Sequence, residues 1–322
     1  RPLGAPILGF GGTSSGAGPL IELHDNLKNL FSDKIGEQIT SVDIVDVENL
    51  IGRCVVAGNV RRSAALAIGD SDDFRYLEMK NDQEKLYHHR WGSNNSFDAE
   101  VGMDYSWHAQ QSQVNGEPGY IWLENARAYG RMKDGENYDD IEVMGFNPCV
   151  EQSLHNAEMC CLVETFPAKH DDYEDYLKTL KCAYLYGKTV TLVNTHWPET
   201  NAKMLKNRRI GLSQSGIVQA FNKHGRREML EWCDNAYTQI DELDLEYSNW
   251  LCVPKSIKMT SIKPSGTVSL LNGSTPGIHF PEDEYYIRRI RFSKTSQILK
   301  TLEKAGYNIE DDKYSPNTSV VE

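Results

Sequence analysis

The residues of this chain best suited to chemistry are Phe146-Asn147-Pro148-Cys149-Val150-Glu151, with Cys160 and Cys161 following. Asn147, Cys149 and Glu151 set an amide, a thiol and a carboxylate at alternate positions. On an extended strand such positions share one face. A small molecule there would meet a hydrogen-bonding group, a redox-active sulfur and an acid or base together. Pro148 lacks a backbone donor, which suits a loop or strand end better than a central strand. Cys160 lies eleven residues beyond Cys149, near enough for a returning loop to bring a second thiol alongside the first.

Three other segments have the composition of ligand-binding loops. In Lys263-Pro264-Ser265-Gly266-Thr267-Val268-Ser269, small residues let backbone N–H groups approach an anion and hydroxyls can donate as well. The same Pro-Ser-Gly-Thr run is also an ordinary turn. Gly58-Asn59-Val60-Arg61-Arg62-Ser63 is a cationic loop, suited to contact a nucleotide or to lie as a solvated turn. Residues 11–18, with Gly12 and Thr13, read equally as a nucleotide cradle or a plain connection. Cys54, Cys182, Cys233 and Cys252 fall in apolar or helical contexts and are expected in the core. The adjacent pair Cys160-Cys161 fits thiol–disulfide chemistry better than zinc ligation, which favours a Cys-x-x-Cys pair. His88-His89 is expected at the surface, and His196 as a hydrogen-bonded structural residue.

Strands and helices alternate along the chain, which predicts an α/β fold in a single domain spanning 1–322. Helical spacing marks Leu20 to Leu30, Val45 to Val56, a segment opened by Asp171-Asp172, and Glu228 to Trp250. Ala64 to Ile68, Tyr120 to Leu123 and Val190 to Val193 read as strands, and Trp91 to Ser96 as a turn. With 39% hydrophobic and 25% charged residues, the 322-residue chain has an ordinary globular composition. Its net charge of −12 argues against general affinity for DNA or RNA. No run approaches the roughly 20 apolar residues that span a bilayer. The N-terminus, Arg1-Pro2-Leu3-Gly4, lacks a signal-peptide core. Seven cysteines without framework spacing point to a reducing cytoplasm.

Asn147-Pro148-Cys149-x-Glu151 taken with Lys263-Pro264-Ser265-Gly266-Thr267 resembles the catalytic core of the ribonucleotide reductases. The resemblance is strongest to the adenosylcobalamin-dependent (class II) monomeric ribonucleoside-triphosphate reductases. Supporting segments include Gly4-Ala5-Pro6-Ile7, Val55 to Arg62, Ser93-Asn94-Asn95-Ser96, Asn207-Arg208-Arg209-Ile210-Gly211 and Thr275-Pro276-Gly277-Ile278-His279.

This resemblance implies a ten-stranded α/β barrel of the reductase and glycyl-radical type, incomplete in this chain, with Cys149 on a central finger loop. It implies a thiyl radical on Cys149, generated with adenosylcobalamin, that takes the ribose 3′-hydrogen. Glu151 would be the base, Asn147 would bind the sugar, and Cys160 would belong to the cysteine pair that becomes a disulfide. Pro264, Ser265, Gly266, Thr267 and Val268 would hold the substrate phosphates. Gly58, Asn59, Val60, Arg61, Arg62 and Ser63, with Gly12 and Thr13, would form specificity loops for a deoxynucleotide effector.

The expected partners are ribonucleoside triphosphates, a thioredoxin-like reductant and a complementing reductase chain, with no metal site in this portion. Complete family members are longer, so the chain reads as the central part of a reductase. The alternatives are the catalytic subunit of a class I ribonucleoside-diphosphate reductase, or a non-catalytic nucleotide-binding fragment.

Overall fold

The computed structural model describes residues 1–7, 12–58, 62–313 and 318–322. The chain groups into two compact units, Arg1–Ile121 with Asp283–Glu322, and Trp122–Glu282, where the sequence reading expects one domain.

In the first unit, α1 (Gly18–Ser32) and α2 (Ser41–Val56) precede three strands, β1 (Ala65–Gly69), β2 (Ser93–Asp98) and β3 (Gly119–Ile121). Helices α3 (Phe74–Glu78), α4 (Gln83–His88) and α5 (Ser106–Asn115) make the crossovers. All three strands are parallel, in the order β1-β2-β3, as strand–helix alternation requires. Thr40 opens α2 with a capping box, its hydroxyl accepting from the Asp43 N–H while Asp43 accepts from the Thr40 N–H.

The second unit contains α6 (Leu123–Ala128), the hairpin strands β4 (Gly145–Phe146) and β5 (Ser153–Leu154), and β6 (Leu162–Thr165). Then come α7 (Tyr173–Val190), α8 (Pro198–Asn207), β7 (Gly211–Gln214), α9 (Ile217–His224), α10 (Arg226–Leu251) and α11 (Val268–Leu271). Strands β6 and β7 are parallel. Against β7 pack Tyr176, Leu180 and Tyr184 of α7 and Trp232, Ala236 and Ile240 of α10, forming the core of this unit. Lys188 and Asp244 pair at 2.6 Å between α7 and α10 with no solvent exposure. The remaining elements of the first unit are β8 (Ile290–Ser293), α12 (Ile298–Lys304), β9 (Ile309–Asp311) and β10 (Thr318–Val321). Their strands form an antiparallel sheet in the order β8-β10-β9.

The α/β class is as expected. Among the described residues the strands form four sheets of two or three strands. No described helix is long and apolar enough to cross a membrane.

Several local expectations are corrected. Val190–Val193 is not a strand: α7 runs through Val190, and Thr191 to Val193 turn back on it. The buried Lys188–Asp244 pair holds this end of the helix in place, so tertiary contact overrides β-branched propensity. Ser93–Ser96 is a buried strand, not a turn. Asn49 of α2 donates to Ser93 Oγ at 3.0 Å and Ser93 donates to Asn95 Oδ1 at 2.6 Å. His89 is buried on Asp46 at 2.9 Å rather than lying at the surface. His196 is exposed against the Trp197 ring. Cys182 and Cys252 are exposed rather than in the core.

Candidate functional site

Residues 147–152 join β4 to β5, so the amide, thiol and carboxylate sit on a tight hairpin loop rather than on one face of a strand. Asn147 builds this loop. Its N–H donates to the Gln152 carbonyl at 3.0 Å, its carbonyl accepts from Val150 N–H at 2.8 Å, and its side-chain oxygen accepts from Gln152 N–H at 3.0 Å. Val150 takes φ +66°, a left-handed conformation that costs a β-branched residue about 1–3 kcal/mol. That turn leaves Cys149 exposed at the tip, while Asn147 is 5% exposed below it.

A buried polar network braces the hairpin. Arg209, wholly buried, grips Asp140 through two nitrogens at 2.7 and 2.8 Å. Asp140 also pairs with His155 at 2.8 Å and Lys258 at 3.0 Å, and Ser153 of β5 donates to it at 3.4 Å. Burial pushes the Asp140 carboxyl up, but Arg209 and Lys258 pull it further down, so it ends below the ordinary aspartate range. Asn207 donates to Glu158 at 3.0 Å. The Asn207–Gly211 motif therefore positions the loop from beneath, and Asp140, His155, Glu158 and Lys258 were not anticipated. The sequence marks this network only through the Asn207–Gly211 segment of the resemblance.

Glu151 has a side chain 2% exposed. Lys263 donates to its Oε1 at 3.0 Å, and its Oε2 is buried without a hydrogen-bond partner. Burial lowers the Lys263 amine, but the hydrogen bond and charge of Glu151, with Cys149 and Cys160, raise it overall. Cys160 is exposed. Desolvation at its sulfur and the Glu151 charge push its thiol up, with Cys149 adding to the effect and Lys263 opposing it. The structure thus brings Cys149, Glu151, Cys160 and Lys263 within electrostatic reach of one another. Cys161 is buried, and burial with the charges of Cys160 and Glu158 pushes it up to about 11.

Strand β7 and the residues just after it anchor the other wall. Ser213 Oγ accepts from Lys263 N–H at 2.9 Å, and Ser215 Oγ accepts from Gly277 N–H at 2.9 Å while donating to Glu164. Gly277 has φ +47°, and a Cβ there would lie 2.6 Å from the Lys263 carbonyl. Burial raises the Glu164 carboxyl above its ordinary range, against Ser215, Lys263 and Ser213. Ser265 is buried, its hydroxyl accepting from Ser269 N–H at 3.4 Å. Gly266, Thr267 and Val268 are exposed, with open space above Gly266. A cavity of about 250 Å3 is lined by Cys149, Glu151, Ile262, Lys263, Pro264 and His279. A larger cavity of about 950 Å3, between β7 and α10, is floored by Leu212, Ala236 and Ile240. It contains neither Cys149 nor Glu151, so size does not locate the chemistry.

The described residues expected to form specificity loops, Gly12, Thr13, Gly58, Arg62 and Ser63, belong to the first unit. Gly58 has φ +84°, and its Cβ position is 3.1 Å from Ser15 Cβ and 3.5 Å from the Thr13 carbonyl, so these two segments meet. Gly12 and Thr13 form a short return with Pro6 and Ile7. Gly58, Arg62, Ser63, Arg53, Leu23 and Trp91 border a cavity of about 750 Å3. Asn59, Val60 and Arg61 lie outside the described residues.

No family model matches the chain. It is 53% identical over 324 residues to a Dictyostelium discoideum protein named probable adenosylcobalamin-dependent ribonucleoside-triphosphate reductase, covering 100% of this chain and 43% of that protein. A Euglena gracilis adenosylcobalamin-dependent ribonucleoside-triphosphate reductase is 48% identical over 325 residues, covering 100% and 45%. The crystal structure of a B12-dependent (class II) ribonucleotide reductase superposes with a TM-score of 0.86 at 38% identity, over 100% of this chain and 48% of that one. The chain therefore spans less than half the length of these relatives. Over its whole length this chain is thus similar in sequence and fold to one part of the adenosylcobalamin-dependent ribonucleoside-triphosphate reductases.

Proposed function

We propose that this chain is the thiol-bearing portion of a reductase that converts ribonucleoside triphosphates to 2′-deoxyribonucleoside triphosphates. One observation carries the proposal: an exposed cysteine on a braced hairpin shares a cavity with a buried carboxylate and the start of a phosphate-type loop. In this reading a thiyl radical on Cys149 takes the ribose 3′-hydrogen, and Glu151 accepts the 3′-hydroxyl proton through the unpartnered Oε2. The side-chain oxygen of Asn147 is engaged by Gln152, so its amide nitrogen is the end assigned to the sugar. The 2′-hydroxyl leaves as water, a cysteine pair that includes Cys160 supplies two electrons and two hydrogens as it becomes a disulfide, and Cys149 returns the 3′-hydrogen and is again a thiyl radical. A thioredoxin-like dithiol then reduces that disulfide by exchange. The substrate phosphates lie against Pro264, Ser265, Gly266, Thr267 and Val268.

When bound, adenosylcobalamin supplies the radical chemistry. The thiol of Cys149, exposed at the hairpin tip, is the group on which that chemistry would act. A deoxynucleotide effector would occupy the cavity bordered by Gly58, Arg62 and Ser63. Both units would belong to one catalytic domain that closes its barrel with the rest of a cytoplasmic enzyme.

The test is disulfide mapping after a single turnover of the full-length enzyme without external dithiol. Cys160 should appear in a disulfide formed one-for-one with product. A free Cys160 after product formation would remove its assignment.

A further inference from the structure

The ammonium of Lys263 is placed between the two halves of the candidate site. Its backbone N–H is fixed on Ser213 Oγ, and its carbonyl packs on Gly277. Its side chain reaches Glu151 Oε1 at 3.0 Å. The lysine side chain is 29% exposed and the glutamate 2%, so the cation lies on the solvent side of the carboxylate. The next residue is Pro264, the start of the loop assigned to the phosphates, and both residues line the same cavity as Cys149. Glu164 on β6 also interacts with Lys263 electrostatically, as do Cys149 and Cys160.

A carboxylate this deeply buried, with Oε2 unpartnered, would be costly without a countercharge. The same countercharge ties up Oε1. An ammonium is a compact point charge on a flexible stem, able to change partners without rebuilding the backbone. An incoming triphosphate carries more negative charge than one carboxylate and arrives from the solvent side.

We propose that Lys263 is a positioning residue that holds and orients Glu151 in the empty site and transfers to the substrate's phosphate chain on binding. This rests on the proposed function, since it takes the neighbouring loop to be the phosphate site. The transfer would take the countercharge off Glu151 and so strengthen it as a base only when a nucleotide is in place. That would limit unproductive chemistry at Cys149.

The first test is competitive amine labelling of the intact chain near pH 8.5, with each lysine read by mass spectrometry. Lys263 should label slowly in the parent, because its partner favours the protonated form. Each unit by which an amine pKa falls exposes about tenfold more free amine, so Glu151→Gln should label several-fold faster at Lys263. Inorganic tripolyphosphate should restore protection in that variant. Labelling of Lys263 in Glu151→Gln at the parent rate, or unaffected by tripolyphosphate, would overturn the proposal.

In the full-length enzyme, Lys263→Gln should lower kcat by tenfold or more while KM for the nucleotide rises less. Lys263→Arg should recover most of kcat. A change in KM alone would reduce Lys263 to a phosphate contact and overturn the positioning role. Persistent turnover in Glu151→Gln would instead remove the base assignment, while the labelling result would stand on its own.

Discussion

Replacing Asp140 with asparagine should loosen the brace beneath the Cys149 hairpin. In the parent, this 2%-exposed carboxylate answers Arg209, Lys258 and His155 at 2.7–3.0 Å. Asparagine keeps the shape but removes the charge, leaving the wholly buried Arg209 with Glu158, at 3.1 Å, as its remaining carboxylate and Lys258 with the neutral oxygens of Ala126 and Ser153. Breaking a buried pair on one side costs about 3–5 kcal/mol. That equals roughly 150- to 5,000-fold faster amide exchange where exchange needs this region to open. The amides of Ile210 and Leu212, which donate to the Lys258 and Met259 carbonyls at 2.9 Å, follow Arg209 in the chain and are suitable reporters.

Urea unfolding at pH 7 should show the same loss. Acid sensitivity provides a sign check. Because the folded Asp140 titrates below its ordinary range, its contribution is present above about pH 4 and is lost as pH falls through the lower folded value. Asp140→Asn should abolish that part of the acid dependence. A loss below about 1 kcal/mol, or an unchanged acid slope, would refute the account of the brace.

Other changes have equally defined outcomes. Gly277→Ala should displace the Lys263 carbonyl and cost about 1–3 kcal/mol through strain, and nucleotide affinity should fall with stability. Equilibrium dialysis beside thermal unfolding would check both. Glu164 titrates above its ordinary range when folded, so its contribution is complete below about pH 4 and declines as pH rises through the folded value. Stability against pH should therefore fall less steeply in Glu164→Gln than in the parent, and identical slopes would contradict the assignment.

What was legible in the sequence was local. Alternation gave the α/β class, and the helices at α2, α7 and α10 followed from apolar spacing, with Asp172 as the cap of α7. Asn147, Cys149, Glu151 and the Lys263–Val268 loop were legible because each pairs reactive side chains with turn chemistry. Their common-face geometry was not, since Asn147 folds the segment into a hairpin through bonds to Gln152, five residues away. The Val190–Val193 and Ser93–Ser96 misreadings share one cause. In both, partners distant in sequence, Asp244 for Lys188 and Asn49 for Ser93, outweigh local preference. The roles of Lys263, Glu164 and Asp140 depend wholly on such long-range pairs, which no local pattern encodes.

The most direct test is deoxynucleotide formation from the four ribonucleoside triphosphates by the full-length enzyme, with a dithiol, with and without adenosylcobalamin, beside Cys149→Ser. The account predicts product only when cofactor and Cys149 are both present, with nucleotide binding intact in the serine variant. Product formed by Cys149→Ser at a rate near the parent's would contradict it.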